Sequence, residues 1–399
     1  MKRLVPEVSI GVFGHVDHGK TTLVYALTGR RTDIHSEEQL RAMSIRLGYA
    51  HVTFYKCPSC EEYPYTRFPT CPKCGSQCKP TRAVSFVDAP GHEALMATAL
   101  AGTALIDGAL LVIAANEGVK EQTKEHLMAI DIAGIDKVIV VQTKLDLVTP
   151  EEAKRNYEEI KKWLEGTVAE DAPIIPVAAP QLVNVDVLIE AIETYIPTPK
   201  REEGASPIFL VARSFDVNKP GSEPGKLKGG VLGGALLQGK LSVGDAIEIA
   251  PGTKEGNRWR ILESTIEGLR QGDVEVDEAR PGGLVGILTK LDPSLTKSDS
   301  LAGNVVTRKG ELPELREELT LEGKLVRDVK FSRGEPIMLT AGVTRTIGVI
   351  ESVRQGDGEI RLFVKDLRMP IAILPNARIV LSKLINNSWR LVGYATPKG

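Results

Sequence analysis

Residues 14–21 read Gly14-His15-Val16-Asp17-His18-Gly19-Lys20-Thr21, which is G-x-x-x-x-G-K-[ST], the pattern of a phosphate-binding loop. An apolar, β-rich run, Val8-Ser9-Ile10-Gly11-Val12-Phe13, leads into it, and Leu23, Val24, Ala26 and Leu27 follow at helical spacing. A strand, a glycine loop and a helix start are the context such a loop needs. Its glycines let backbone N–H groups curl around phosphate oxygens, and the helix N-terminus adds partial positive charge. Lys20 offers a point charge to the outer phosphates, and the Thr21 hydroxyl is placed to ligate Mg²⁺. Asp17, His18, Gly19, Lys20, Thr21 and Thr22 are therefore the candidate binders of a nucleoside triphosphate. The plain alternative is a strand–helix turn that binds nothing.

Around this loop, residues 1–200 alternate strand-like runs, at 84–88, 109–115, 138–142 and 174–178, with helical patterns near 92–104, 120–134, 150–165 and 185–195. Thr149, Pro150 and Glu152 form a start signal with a capping box for the third of those helices. Such alternation predicts an α/β domain with a parallel sheet covered by helices on both faces, its ligand at the carboxyl ends of the strands. Two further elements close strands. Asp88-Ala89-Pro90-Gly91 ends the run at 84–88. Asp88 can hold Mg²⁺ through water, and the Gly91 N–H can meet a third phosphate and so report its loss. Thr143-Lys144-Leu145-Asp146 ends the run at 138–142. The Asp146 carboxylate can accept from N1–H and N2–H₂ of guanine, a donor pair that adenine lacks, which argues GTP over ATP. Lys144 can lie along the base. A cap near the Thr149-Pro150 helix start is the other role open to Asp146.

Cys57-Pro58-Ser59-Cys60 and Cys71-Pro72-Lys73-Cys74 are two C-x-x-C knuckles ten residues apart. Four thiolates close a tetrahedral Zn²⁺ site with no open position, so the metal would be structural. Reduced, metal-free thiols are the alternative, and Cys78 is a spare. All five cysteines lie between 57 and 78, so no disulfide framework spans the protein.

The bulk properties bound the rest. A chain of 399 residues suggests two or three domains. Its 42% hydrophobic and 26% charged residues are ordinary for a globular protein. A net charge of −2 excludes a uniformly basic nucleic-acid binder and leaves local patches open. No apolar run approaches the roughly 18–20 residues of a membrane span, and residues 1–7 show no secretory signal. A cytoplasmic chain with no membrane partner is expected.

At Tyr195-Ile196-Pro197-Thr198-Pro199-Lys200 the helical pattern gives way to prolines and then to a polar stretch, Arg201 to Ser206, which reads as a domain boundary. Beyond it, short alternating runs punctuated by glycine predict an antiparallel β-barrel over 206–311 and a second over 312–399. Arg345, Arg354, Arg361, Lys365, Arg368 and Arg378 of the last segment could follow an RNA backbone or form the solvated face of a barrel.

G-H-V-D-H-G-K-T at 14–21, D-A-P-G-H at 88–92 and T-K-L-D at 143–146 together resemble the translational GTPases. Within them the chain is most similar to the γ subunit of archaeal and eukaryotic translation initiation factor 2. The likeness runs through Arg41 to Tyr49, the cysteine insertion, Phe86 to Ala97, Arg213 to Gly221, Lys228 to Gly234 and Leu291 to Lys297. The last hundred or so residues match in pattern rather than in motif. The resemblance implies a P-loop GTPase domain followed by two barrels, with GTP hydrolysed to GDP. It also implies a GTP form that delivers methionylated initiator tRNA to the small ribosomal subunit, and companion α and β subunits in a heterotrimer. The aminoacylated tRNA end would lie between the first barrel and the nucleotide domain, with the loop from Lys226 to Gly234 as a contact, although a flexible hairpin reads the same way.

The same resemblance makes residues 30–50 a first switch. Ser44 stands where the family's threonine ligates Mg²⁺ in the GTP state, and Ala42 where a glycine carbonyl faces a second metal beside Asp17. Ala42 cannot take a positive φ cheaply. Thr143 replaces the usual asparagine, so its loop contact is expected to weaken. Val177-Ala178-Ala179 replaces V-S-A, so a backbone N–H of Ala178 or Ala179 would reach the base oxygen. His92 resembles the histidine that orients the attacking water, gated by Val16 and Met43; an idle, exposed histidine is the alternative. Rival readings are an elongation or selenocysteine-specific factor, a non-hydrolysing nucleotide-bound ribosome scaffold, and an ATPase.

Overall fold

The computed structural model describes residues 4–32, 47–91, 96–219, 221, 223–375 and 377–398. The chain divides into two compact units, Met1–Lys200 and Arg201–Gly399. Ala42, Met43, Ser44 and His92 lie outside the described residues.

In the first unit the strands are β1 (Pro6–Gly14), β2 (Gly48–Lys56), β3 (Tyr65–Thr66), β4 (Lys79–Asp88), β5 (Gly108–Ala114), β6 (Val138–Thr143) and β7 (Ile174–Pro176). The helices are α1 (Lys20–Thr28), α2 (Met96–Thr103), α3 (Glu121–Ile132), α4 (Pro150–Leu164) and α5 (Val185–Tyr195). One seven-stranded sheet runs β3-β2-β4-β1-β5-β6-β7. The strands β4, β1, β5, β6 and β7 are mutually parallel, and they are apolar where both faces are covered; β5, Gly-Ala-Leu-Leu-Val-Ile-Ala, is buried throughout. The sheet is mixed rather than purely parallel, which corrects the sequence expectation. β2 pairs antiparallel with β4, and β3 antiparallel with β2. β2 is only half-buried, so it lacks the continuous apolar run that marks the other strands.

β1 lies between β4 on one side and β5 on the other, so its carboxyl end opens at the point where the chain changes direction across the sheet. α1 and α5 seal one face in a single core with Val8, Ile10, Val12 and Phe86, while α3 packs on β1 and β5. The α4 capping box forms: Thr149 N–H donates to Glu152 Oε2 at 2.9 Å, and Glu152 N–H donates to Thr149 Oγ1 at 3.3 Å.

The second unit holds two closed six-stranded antiparallel barrels. Around the first run Ala246–Glu255, Val305–Arg308, Ile208–Phe215, Val231–Gln238, Val285–Thr289 and Arg258–Gln271. Around the second run Leu319–Leu325, Glu359–Lys365, Thr344–Gly356, Pro336–Ala341, Ile379–Ile385 and Ser388–Lys398. Each barrel encloses its own apolar core. Among the described residues, no helix is long and apolar enough to cross a membrane.

Candidate functional site

The carboxyl end of β1 opens onto a cleft of about 350 Å³. Four separate segments line it: Asp17, Gly19, Lys20, Thr21 and Thr22 of the loop; Gly91 after β4; Thr143, Lys144 and Asp146 after β6; and Ala179 after β7. Val16, the expected gate residue, also lines it. Asp17 holds a positive φ of 63°, a conformation aspartate tolerates better than most side chains.

Lys20 is buried, and its Nζ donates to the Gly14 carbonyl at 2.9 Å and the His15 carbonyl at 2.7 Å. Burial pushes its pKa down to about 8, against the attraction of Asp88 and Asp17. Both hydrogen bonds go to main-chain carbonyls of the loop itself, and a phosphate would supply the ammonium a full counter-charge. The Thr21 hydroxyl donates to Asp88 Oδ2 at 2.8 Å, and Thr32 Oγ1 donates to the same oxygen at 2.6 Å. Thr21 and Asp88 offer hard oxygen groups suited to Mg²⁺, the Thr21 hydroxyl as a direct ligand and the Asp88 carboxylate through water. Gly91 needs to be glycine: a Cβ there would strike Lys20 Nζ and come within 2.8 Å of the Val16 backbone nitrogen.

On the base side, Lys144 takes the left-handed backbone conformation, φ 57°, which marks a constrained position. Its ammonium meets Glu117 Oε1 at 3.1 Å, and Glu117 Oε2 lies 3.8 Å from His18 Nε2. Burial raises the Glu117 carboxyl, but its hydrogen bond from Lys144 and the nearby positive charges outweigh that and hold it below its ordinary value. Thr143 does reach the loop, donating to the His18 carbonyl at 2.7 Å, so the contact expected to weaken is in place. Asp146 is exposed at the cleft.

Two expected contacts are narrowed. The His18 imidazole is fully buried, with Nδ1 3.3 Å from the Val112 carbonyl, so only its main chain is available to a phosphate. The Ala178 N–H donates to the Val183 carbonyl at 3.3 Å, which leaves Ala179, at the cleft wall, as the residue facing a base. Glu117 and Thr32 were not legible in the sequence. Neither sits in a motif, and both act through partners far along the chain.

Away from the cleft, Cys57, Cys60, Cys71 and Cys74 bring their Sγ atoms within 4.8 Å of one another. The pairs Cys57–Cys74, Cys60–Cys71 and Cys60–Cys74 are 3.5, 3.7 and 3.7 Å apart. Thiolates at about 2.3 Å from a tetrahedral Zn²⁺ would sit ~3.8 Å apart, so the donor set fits that ion. The Ser76 hydroxyl and N–H push the Cys74 thiol down to about 6, whereas hydrogen bonding to Cys57 pushes Cys60 up to about 12. Four sulfurs this close cannot all ionise unless a cation joins them. Cys78 is buried beside the group, its Sγ near the Ser76 carbonyl, and stands outside the four.

The family described as elongation factor Tu GTP-binding domain matches residues 6–198, and the family described as initiation factor eIF2 gamma, C terminal, matches 315–396. The chain is 52% identical to translation initiation factor 2 subunit gamma of Methanothermobacter thermautotrophicus over 408 aligned residues, 98% of this chain and 99% of that one. It is 52% identical to the protein of the same name from Archaeoglobus fulgidus, covering 98% and 94%. Among solved structures, a bacterial selenocysteine-specific elongation factor aligns with TM-score 0.75 and 25% identity over 98% of this chain and 58% of that one. Elongation factor SelB from Methanococcus maripaludis, bound to a GTP analogue, aligns with TM-score 0.73 at 21% identity and shares the fold.

Proposed function

The chain belongs to the γ-subunit family of translation initiation factor 2, and on that premise we propose that its GTP form binds methionylated initiator tRNA and delivers it to the small ribosomal subunit. It is a translational GTPase and a GTP-dependent initiation factor subunit. The observation that carries the reading is the meeting of the phosphate loop, Gly91 and Asp146 in one cleft.

The roles we assign rest on the family resemblance and, for the described residues, are supported by their meeting in that cleft. Lys20 and the loop amides take the outer phosphates, Asp146 and the Ala179 N–H take the guanine edges, and Thr143 and Glu117 hold loop and Lys144 in register. Thr21, Asp88 through water, and Ser44 in the triphosphate state would hold Mg²⁺, which would supply neutralising charge on the outer phosphates. Ala42 and Asp17 mark a second cation position. His92 orients the attacking water. Loss of the third phosphate releases Gly91, and with it the tRNA-holding state. The four cysteines hold a structural Zn²⁺ that closes a chain excursion between β2 and β4. We read three domains, 1–200, 206–311 and 312–399, and partnership with α and β subunits in the cytoplasm.

Filter binding tests the tRNA role. The chain, assembled with α and β subunits, is loaded with a non-hydrolysable GTP analogue or GDP and offered initiator, elongator and selenocysteine tRNAs. Preference for methionylated initiator tRNA in the triphosphate state is expected. Preference for another aminoacyl-tRNA would transfer the chain to elongation. Ribosome-stimulated hydrolysis, compared with His92→Ala, tests the catalytic assignment; equal negligible rates would favour a scaffold.

A further inference from the structure

α3 carries His126 beneath the phosphate loop, fully enclosed by the protein. The Gly14 N–H donates to His126 Nδ1 at 3.1 Å, and Gly14 is where β1 becomes the loop. The Phe13 ring lies against the imidazole, with centroids 5.6 Å apart. An accepting Nδ1 fixes the tautomer, so the ring proton is on Nε2. Burial, reinforced by the charges of Lys20 and His15, pushes the imidazole pKa down to about 3, so the ring is neutral at any working pH. Among the described residues, Nε2 meets no partner at hydrogen-bond geometry, yet the Pro90 carbonyl is near enough to act on the ring. The ring's one N–H, on Nε2, is the group that could donate to that carbonyl.

A buried donor without an acceptor is costly, and the Pro90 carbonyl belongs to the peptide unit that joins Pro90 to Gly91. That unit is planar and trans, so its carbonyl and the Gly91 N–H point in opposite directions. Fixing the carbonyl on one side therefore aims the N–H on the other. Gly91 itself lines the wall of the cleft.

We propose that His126 is a positioning residue that couples the phosphate loop to Gly91. Its Nδ1 holds the Gly14 N–H in both nucleotide states, while Nε2–H closes on the Pro90 carbonyl when Gly91 turns its N–H onto the third phosphate. The side chain touches no ligand, yet it biases the loop pair toward the triphosphate state. This rests on the guanine-nucleotide reading above and assigns part of the switch to a residue that reading does not use.

Two near-isosteric variants separate the ring's two functions. His126→Asn keeps an acceptor at the Nδ1 position and removes the donor at Nε2. His126→Gln keeps a donor near Nε2 and removes the acceptor. Affinities for GDP and a non-hydrolysable GTP analogue are measured on the full chain. His126→Asn is expected to hold GDP within about twofold and to lose about tenfold in the triphosphate analogue, the effect of one buried hydrogen bond. His126→Gln is expected to weaken both nucleotides together and keep their ratio. An unchanged ratio in His126→Asn overturns the assignment, as does a parallel loss in both variants, the mark of a purely structural role. Should His126→Asn fail to fold, nitrogen-15 NMR of the unmodified chain reads the same bond. The Nε2–H resonance is expected downfield with the triphosphate analogue relative to GDP, and identical positions overturn the proposal. If the unmodified chain prefers no guanine nucleotide, the nucleotide reading itself fails; if it does and the ratio holds, only the role of His126 fails.

Discussion

Asp146 is exposed on the short helical turn that follows β6, with no ion pair among the described residues, so its carboxylate is available to a ligand. On the proposed reading, two charge-assisted hydrogen bonds to the guanine edge would make it the main source of base choice. Asp146→Asn is expected to cost about 100-fold or more in GTP affinity and to shift preference toward xanthosine triphosphate, whose 2-oxo group would accept from the new amide. Competition binding with GTP, XTP and ATP checks it; an unchanged guanine preference would remove Asp146 from the site. Thr143, in the cleft wall, also holds the loop. Thr143→Val keeps the shape and removes the donor that holds the buried His18 carbonyl at 2.7 Å. Denaturant unfolding is expected to show a loss of about 1 kcal/mol, and GDP dissociation to quicken about fivefold.

Between residues and domains, two elements are tied down by side chains. Arg82 of β4 reaches the end of α5, with Nε 2.7 Å from Glu193 Oε1 and an NH2 donor 2.9 Å from the Ile192 carbonyl. Both ionic side chains are nearly buried, 9% and 12% exposed, so neither can turn to water if its partner is removed. Arg82→Ala is expected to destabilise the first unit by about 3–5 kcal/mol in denaturant unfolding, much of it from stranding Glu193. The cysteine excursion leans on α5 through Lys73, whose Nζ is 2.6 Å from Asp186. Metal analysis is expected to find one zinc per chain. Chelation should then raise hydrogen exchange across 57–78 while GDP binding persists, because the phosphate loop belongs to a different core. Loss of nucleotide binding on chelation would show that the knuckle supports the cleft directly.

Each compact unit owns its apolar core: the first is built on the sheet and its helices, and the second on the two barrels. Residues 201–399 expressed alone are therefore expected to fold cooperatively, with an antiparallel β circular-dichroism spectrum. Residues 1–200 expressed alone are expected to bind guanine nucleotide. A triphosphate analogue at a hundred times its dissociation constant would stabilise that fragment by about 2.7 kcal/mol, a rise in Tm of roughly 5–10 °C. Calorimetry on the two fragments reads both outcomes, and an unfolded 1–200 fragment would mean that its core is incomplete.

Contiguous pattern was enough for the phosphate loop, Asp88 to Gly91, Thr143 to Asp146, the capping box of α4 and the paired knuckles. Each is a local run whose backbone hydrogen bonding or ligand spacing is set within a few residues. It was also enough for the alternation of strand and helix in the first half and for most barrel strands in the second, since periods of 2 and 3.6 survive in sequence. In the strand Leu319–Leu325, Gly323 interrupts the apolar–polar alternation that marks a strand in sequence. A Cβ at that glycine would come within 2.5 Å of Ala395 Cα on a strand some seventy residues later. The pairing of Thr32 with Asp88, the hold of Glu117 on Lys144, the loss of the Ala178 N–H to Val183 and the place of His126 under Gly14 were decided by tertiary structure alone. In most of these the partner lies tens of residues away, and in each the sheet order or the path of a turn, not the neighbouring sequence, brings donor and acceptor within reach.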